Sequence, residues 1–347
     1  MNSIWSITET LDLIRVVERI QQPASYLTDV LFPNVEVITS DVLPIEYVKS
    51  HRRLAPYVVR GVQGVDVKRE GSTIHLYKAP LTAPRRVLGL EDISRRIIGE
   101  QPIVSALTPE DRAAQMLARD LVELQTMVVN RKAQQAAELL QTGKVTVTGY
   151  TDEGGQVVDV IDFQTGGATS KTWDNANADI YSDLHSASET IQAAAGVIPT
   201  LMICGKNVEK YLLNNKSLRE IMLSASSNAA AFMTYQPRYV SPQVRRIGYL
   251  AALDMEIVSY TATYVNEAGQ TVPFIGDDYV IICVPGKGKQ MHGAVTLLEG
   301  NEWRTYSAEY VPHYSANEAA QTMSLTLYSR FLLVPETVDD YICYKVK

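Results

Sequence analysis

Near the start of the chain, Leu11, Ile14, Val16 and Val17 fall on one helical stripe, with Ser6 or Thr8 placed to cap it. Pro23 ends that stripe, and the run LTDVLFP adds one more apolar turn before Pro33. From Val42 to Pro84 the spacing changes. Valines and tyrosines alternate with charges, and Gly61, Gly64, Gly71, Pro56 and Pro80 punctuate the stretch. Long hairpin strands are predicted, without a continuous apolar face. A two-stranded ribbon of that kind is marginal in water, so it needs another surface to lie on.

The clearest element follows. Thr108 is a good N-cap, Pro109 suits the first helical position, and Glu110 and Asp111 suit the positive end of the helix dipole. No Pro or Gly then occurs until Gly143, at the position after the C-cap. A helix over Pro109 to Thr142 would be a rod of about 51 Å at ~1.5 Å per residue. Leu117, Leu121, Leu124, Val128, Leu139 and Leu140 give it one apolar side. The spacing fails between Arg131 and Gln135, which argues against a long coiled coil.

Directly after it, TGKVTVTGYTDEGGQVVDVIDF reads as a β-hairpin turning at Asp152 to Gly155, and a loose polar connector runs from Gly166 to about Asn177. The pattern then becomes mixed. Ile180 to Ala195 is a predicted helix closed by Gly196 and Pro199, TLMICG a buried strand, and KNVEKYLLNN and KSLREIML short helices. ASSNAAAFMTYQPRYVSPQ is predicted to be irregular. Strands flank a turn at Glu267 to Gly269, and the tail from about Trp303 is strand-rich, with QTMSLTLYSRFLLV its longest run and DYICYKVK its last.

The 347 residues are 46% hydrophobic and 20% charged, which is globular rather than disordered composition and enough chain for two or three domains. No apolar run reaches the ~18 residues of a membrane-spanning helix, and the first twenty residues do not have the form of a signal peptide. Cys204, Cys283 and Cys343 sit in apolar contexts and read as buried, reduced thiols. A net charge of −7 argues against a free-standing nucleic-acid binder. The charge is uneven, however. Residues 45–100 hold eleven Lys and Arg against six Asp and Glu, leaving −12 on the rest. Such a basic segment could meet DNA or the acidic body of a neighbouring copy.

Chemistry is sparse. The five histidines, His51, His75, His185, His292 and His313, are scattered and form no pair at ligand spacing, so no metal or other cofactor is expected. The nucleophile elbow G-x-S-x-G is absent. PGKGK and CGK do not have the phosphate-loop spacing, and no catalytic constellation emerges, so the chain reads as a non-enzyme. Nineteen tyrosines against five phenylalanines suit surfaces buried against partners yet partly wet.

Four stretches in order carry a resemblance: LLQTGKVTVTGYTDEGGQVVDVIDF, WDNANADIYSDLHSA, IPTLMICGKNVEKYLLNN and VSYTATYVNEAGQTVPFIGDDYVIICVPG. With them the chain resembles the major capsid protein E family of tailed bacteriophages, which includes the lambda head protein. The resemblance implies an α+β fold of the Hong Kong 97 capsid type. Residues 1–41 would be an N-terminal arm, 42–84 an extended loop lying on a neighbouring subunit, and 85–178 a peripheral domain with its spine helix at 108–142. Residues 179–300 would be an axial domain, and 301–347 strands completing the peripheral domain. The implied function is a major capsid protein whose hexamers and pentamers build an icosahedral head in the virion, assembled in the host cytoplasm around double-stranded DNA. A separate scaffold, a portal and a decoration protein are implied partners, with no membrane. Arg52, Arg53, Arg60, Lys68 and Arg69 are the candidate intersubunit contacts, since they make the extended segment basic against an acidic body. An encapsulin-like nanocompartment shell is the alternative with the same fold.

Overall fold

The computed structural model describes residues 10, 14, 17, 25–47, 73–89, 91–92, 109–150, 156–163, 165–224, 233–299, 301–317 and 319–347. Its backbone is the long helix Pro109–Thr142, with the bounds its sequence predicts. The helix stops at Gly143, whose φ of +74° only glycine adopts freely. A side chain there would also collide with Thr165, whose carbonyl and hydroxyl oxygens lie 2.4 Å from the position a Cβ would take. The chain then reverses into the predicted hairpin, Lys144–Tyr150 against Gln156–Asp162.

Two larger sheets flank this spine. The first is built on the fourteen-residue strand Thr322–Pro335. Val311–Asn317 pairs along one side, while Arg85–Gly89, Leu81–Thr82 and Gly288–His292 also pair with it, and Asn34–Val37 runs parallel to Gly288–His292 at the edge. The second has seven strands in the order Met233–Ser241, Val244–Leu250, Met255–Tyr260, Leu201–Cys204, Tyr279–Cys283, Tyr341–Lys345 and Thr169–Ser170.

Side-chain alternation in the second sheet divides the core. Leu201, Ile203, Ile281, Cys283, Tyr341 and Cys343 face the end of the spine helix, where Ala133, Ala136, Leu139 and Leu140 meet them. Met202, Cys204, Val280, Ile282 and Tyr344 face the other way, onto Ile180, Leu184 and Ile191 of the helix Ile180–Ala194 and onto Val208 and Leu212 of Val208–Asn214. Asp179 caps the first of those helices by accepting from Ser182 N at 3.1 Å. Thr10, Ile14 and Val17 are buried at helical spacing. Ile14 clusters with Val295 and Tyr306, and Val17 with Leu121, Leu124 and Phe331, while Leu11 and Val16 of the predicted stripe lie outside the described residues.

Four expectations change. Met233–Ser241 is an edge strand rather than irregular chain. Its register slips between Tyr235 and Arg238, around Pro237, which has no N–H to give a ladder. The connector after Gly166 contributes the short strand Thr169–Ser170 and a fully buried Trp173, whose indole donates to Asp183 at 2.8 Å. Finally, the tail does not stay with one sheet. Tyr341–Lys345 enters the seven-stranded sheet beside Tyr279–Cys283, because both its faces are apolar and only an interior position covers both. Conversely, Gly288–His292, expected in the axial region, belongs to the sheet of the long strand.

Candidate assembly surfaces

Arg52, Arg53, Arg60, Lys68 and Arg69 all lie outside the described residues, as does Thr108, the expected cap of the spine. What the structure does describe is the stem that carries the basic segment. Val42–Tyr47 pairs antiparallel with Thr73–Lys78, from Val42 opposite Lys78 to Tyr47 opposite Thr73. At the root, Leu43 and Ala79 are buried in the main core. The Tyr77 hydroxyl donates to the Asp162 carbonyl at 3.2 Å, and its ring lies 6.1 Å from that of Phe163. Asp41 reaches Arg330 at 3.3 Å and Lys78 at 4.0 Å. The stem therefore springs from the body beside the spine hairpin.

The break in apolar spacing at Arg131 to Gln135 proves to be a set of buried polar latches. Gln135 Oε1 accepts from Leu333 N at 3.0 Å, tying the helix to the backbone of the long strand. Lys132 is 3% exposed; its Nζ lies 2.5 Å from Glu309 Oε1 and within 3.4 Å of Gln290 Oε1, His292 Nε2 and the Tyr310 hydroxyl. At the penultimate position of the helix, Gln141 donates to the Phe274 carbonyl and accepts from Gly276 N, each at 3.0 Å, which fixes a loop of the second sheet. The sequence shows these polar residues, but their partners lie 133 to 198 residues away and leave no local signal.

The titratable groups are arranged for packing. Burial pushes the Cys283 and Cys343 thiols up to about 12 and the Cys204 thiol further, so none is poised as a nucleophile. His292 is pushed down to about 3, first by burial and then by the Lys132 charge. Asp340 is pushed up to about 7, chiefly by burial. No cluster of three His, Cys, Asp or Glu suited to a metal occurs among the described residues, and none of their helices is long and apolar enough to cross a membrane. A concavity of about 1190 Å³ is an open groove between the spine helix and the hairpins Lys144–Asp162 and Thr263–Pro273, bridged by Arg131 and Glu267 at 2.7 Å. Amides and hydroxyls such as Asn130, Gln134, Thr146 and Thr148 line much of it.

Comparison with known proteins agrees with this architecture. Residues 9–346 match the family described as phage major capsid protein E. The protein assigned as a prophage capsid protein in Escherichia coli CFT073 superposes with a TM-score of 0.67 at 17% identity, over 100% of this chain and 99% of that one. The mature capsid of bacteriophage PhiM1 gives 0.49 at 11% identity over 94% and 88% of the two chains. An encapsulin complex from Synechococcus elongatus PCC 7942 gives 0.47 at 9% identity over 94% and 91%. No curated protein sequence matches the chain.

Proposed function

The chain belongs to the phage major capsid protein E family, and from that membership we propose how its copies join. Its fold is the Hong Kong 97 capsid type, its role is that of a structural protein of the phage head, and its place is the virion. Assembly is into a multimeric icosahedral shell, for which we assign hexamers and pentamers. We assign the chain no reaction of its own.

The observation that carries the joining mechanism is the rooted stem. Val42–Tyr47 and Thr73–Lys78 leave the body together, and residues 48–72 beyond them hold six Lys and Arg against two Asp and Glu. The segment reaches over a neighbour, and Arg52, Arg53, Arg60, Lys68 and Arg69 meet carboxylates of that copy's acidic body. Residues 1–41 act as an arm and 42–84 as the extended loop. The peripheral unit, 85–178 with the strands after Gly288, carries the spine, and the axial unit begins at 179 and takes Tyr341–Lys345. Double-stranded DNA lies inside without sequence preference. Assembly takes place in the host cytoplasm with a separate scaffold and portal, and a decoration protein reinforces the shell.

Replacing residues 48–72 by a short turn tests this while keeping the stem, because Tyr77 packs on Phe163 and must stay. The expected product is a folded subunit that forms no shell; one that unfolds, or assembles normally, overturns the joining mechanism. Reversing Arg52 and Arg53 to Glu separates the roles of the charge. Loss of particles at low salt, without DNA, supports contact between copies, since exposed charges are screened within ~10 Å at 0.1 M salt. Normal empty shells that package poorly would assign the arginines to DNA instead. Nucleic acid in purified particles distinguishes a phage head from an encapsulin-like shell holding protein cargo.

A further inference from the structure

Val295–Glu299 and Glu302–Tyr306 form a hairpin that belongs to neither large sheet. Its two faces differ sharply. On one, Val295, Leu297 and Tyr306 are buried against Ile14 and Val311. That side is also pinned by polar contacts: the Thr10 hydroxyl donates to Glu299 Oε1, and the Tyr306 hydroxyl donates to Glu299 Oε2 at 2.6 Å. The other face carries Thr296 opposite Thr305, with hydroxyls 2.9 Å apart, and then Leu298 opposite Trp303. Leu298 is 53% and Trp303 72% exposed, the largest exposure of any large apolar side chain among the described residues. The turn beyond them is tight, with Asn301 at φ +71°. A rigid ribbon thus holds an indole and an isobutyl group side by side in water at its tip.

We propose that the Leu298–Trp303 pair is an apolar anchor that inserts into a second copy of this chain. The proposal rests on the shell-forming function above, which surrounds every subunit with other copies. The tip's own chemistry narrows the occupant. Tryptophan with an aliphatic neighbour, rimmed by charge, is the composition of an interface hot spot. In the hairpin's strands Arg304 pairs with Glu302 at 3.6 Å and Glu299 is held by Thr10 and Tyr306, so they offer a polyanion no net positive charge. A basic apolar face of the kind that lies on lipid is likewise not what the ribbon presents. We assign it a different surface of the neighbour, a head-to-tail contact that repeats from copy to copy.

The test uses the full chain in three forms: unaltered, Trp303→Ala and Trp303→Phe. Particles and slowly sedimenting subunits are separated by sedimentation, and folding of the subunits is followed by thermal melts. The chain has three tryptophans, of which Trp173 is buried, so the difference between the unaltered chain and Trp303→Phe isolates the Trp303 emission. In unaltered particles Trp303 should be shielded from acrylamide relative to free subunits. Trp303→Ala should raise the subunit concentration needed for assembly at least about tenfold, as loss of a hot-spot residue does, with Trp303→Phe intermediate and melts unchanged. Should the alanine variant misfold, the quenching of the unaltered protein decides alone. Equal quenching in particles and subunits overturns the proposal, as does shielding that appears only when a different protein is added. An unaltered chain that forms no particles, alone or co-expressed with its scaffold, would instead refute the shell function on which the proposal rests.

Discussion

His292 Nε2 lies 3.4 Å from Lys132 Nζ, in a site where the histidine is fully buried. Two cations cannot share that space. The lysine keeps Glu309 as its counter-charge, and burial first and the lysine's charge second push the imidazole down to about 3, which holds it neutral.

That depression fixes an acid limit. An unfolded histidine titrates near ~6.5, so the native state has the lower affinity for the proton. Its stabilising contribution is complete above that value and is lost as pH falls from ~6.5 toward 3. The loss should be on the order of 1 kcal/mol per pH unit. His292→Phe, which keeps a ring beside Phe331, should flatten the decline between pH 6 and 4 in denaturant melts of unassembled subunits. An unchanged acid limb would show that other groups set it.

Asp340 has the opposite sign. Burial pushes its carboxyl up to about 7, so its protonated form belongs to the fold below that value. Its contribution is present below the ordinary carboxylate range and is lost as pH rises from ~4 to 7. Asp340→Asn should therefore raise the melting temperature at pH 8 and leave it nearly unchanged at pH 4. A uniform loss at both values would make the carboxylate a structural partner.

Breaking the Lys132–Glu309 pair tests whether the latch is electrostatic. Lys132→Met leaves a partly buried carboxylate without its cation and should cost about 3 kcal/mol. Adding Glu309→Leu should recover much of that loss, since apolar replacement of a whole buried pair is often near neutral. Equal losses in the single and double variants would assign the cost to packing.

At the end of the spine, Gly143→Ala should cost about 2 kcal/mol or more, from the left-handed backbone and the contact with Thr165 together. Thermal melts of soluble subunits read this directly. A neutral result would mean that the turn after the helix can relax away from Thr165.

The spine was legible because Pro109 and Gly143 mark its ends and nothing between them interrupts. The two hairpins were legible for similar reasons, through alternation around turn residues. Met233–Ser241 was not, since Pro237 and a shifted register erase the period-two signal on which a strand reading depends. The destination of Tyr341–Lys345 was equally hidden: a strand apolar on both faces announces burial without saying in which sheet. Of the assembly surfaces, the basic charge of residues 45–100 could be read directly, whereas Trp303 could not be told from a core tryptophan until its hairpin partner and exposure were known.

Tyr341–Lys345 lies between Tyr279–Cys283, more than fifty residues earlier, and Thr169–Ser170, more than 150 residues earlier. Without that strand the second sheet has an open slot whose two faces are both apolar. A chain cut short before Tyr341 cannot close it, whatever the state of its spine and loop.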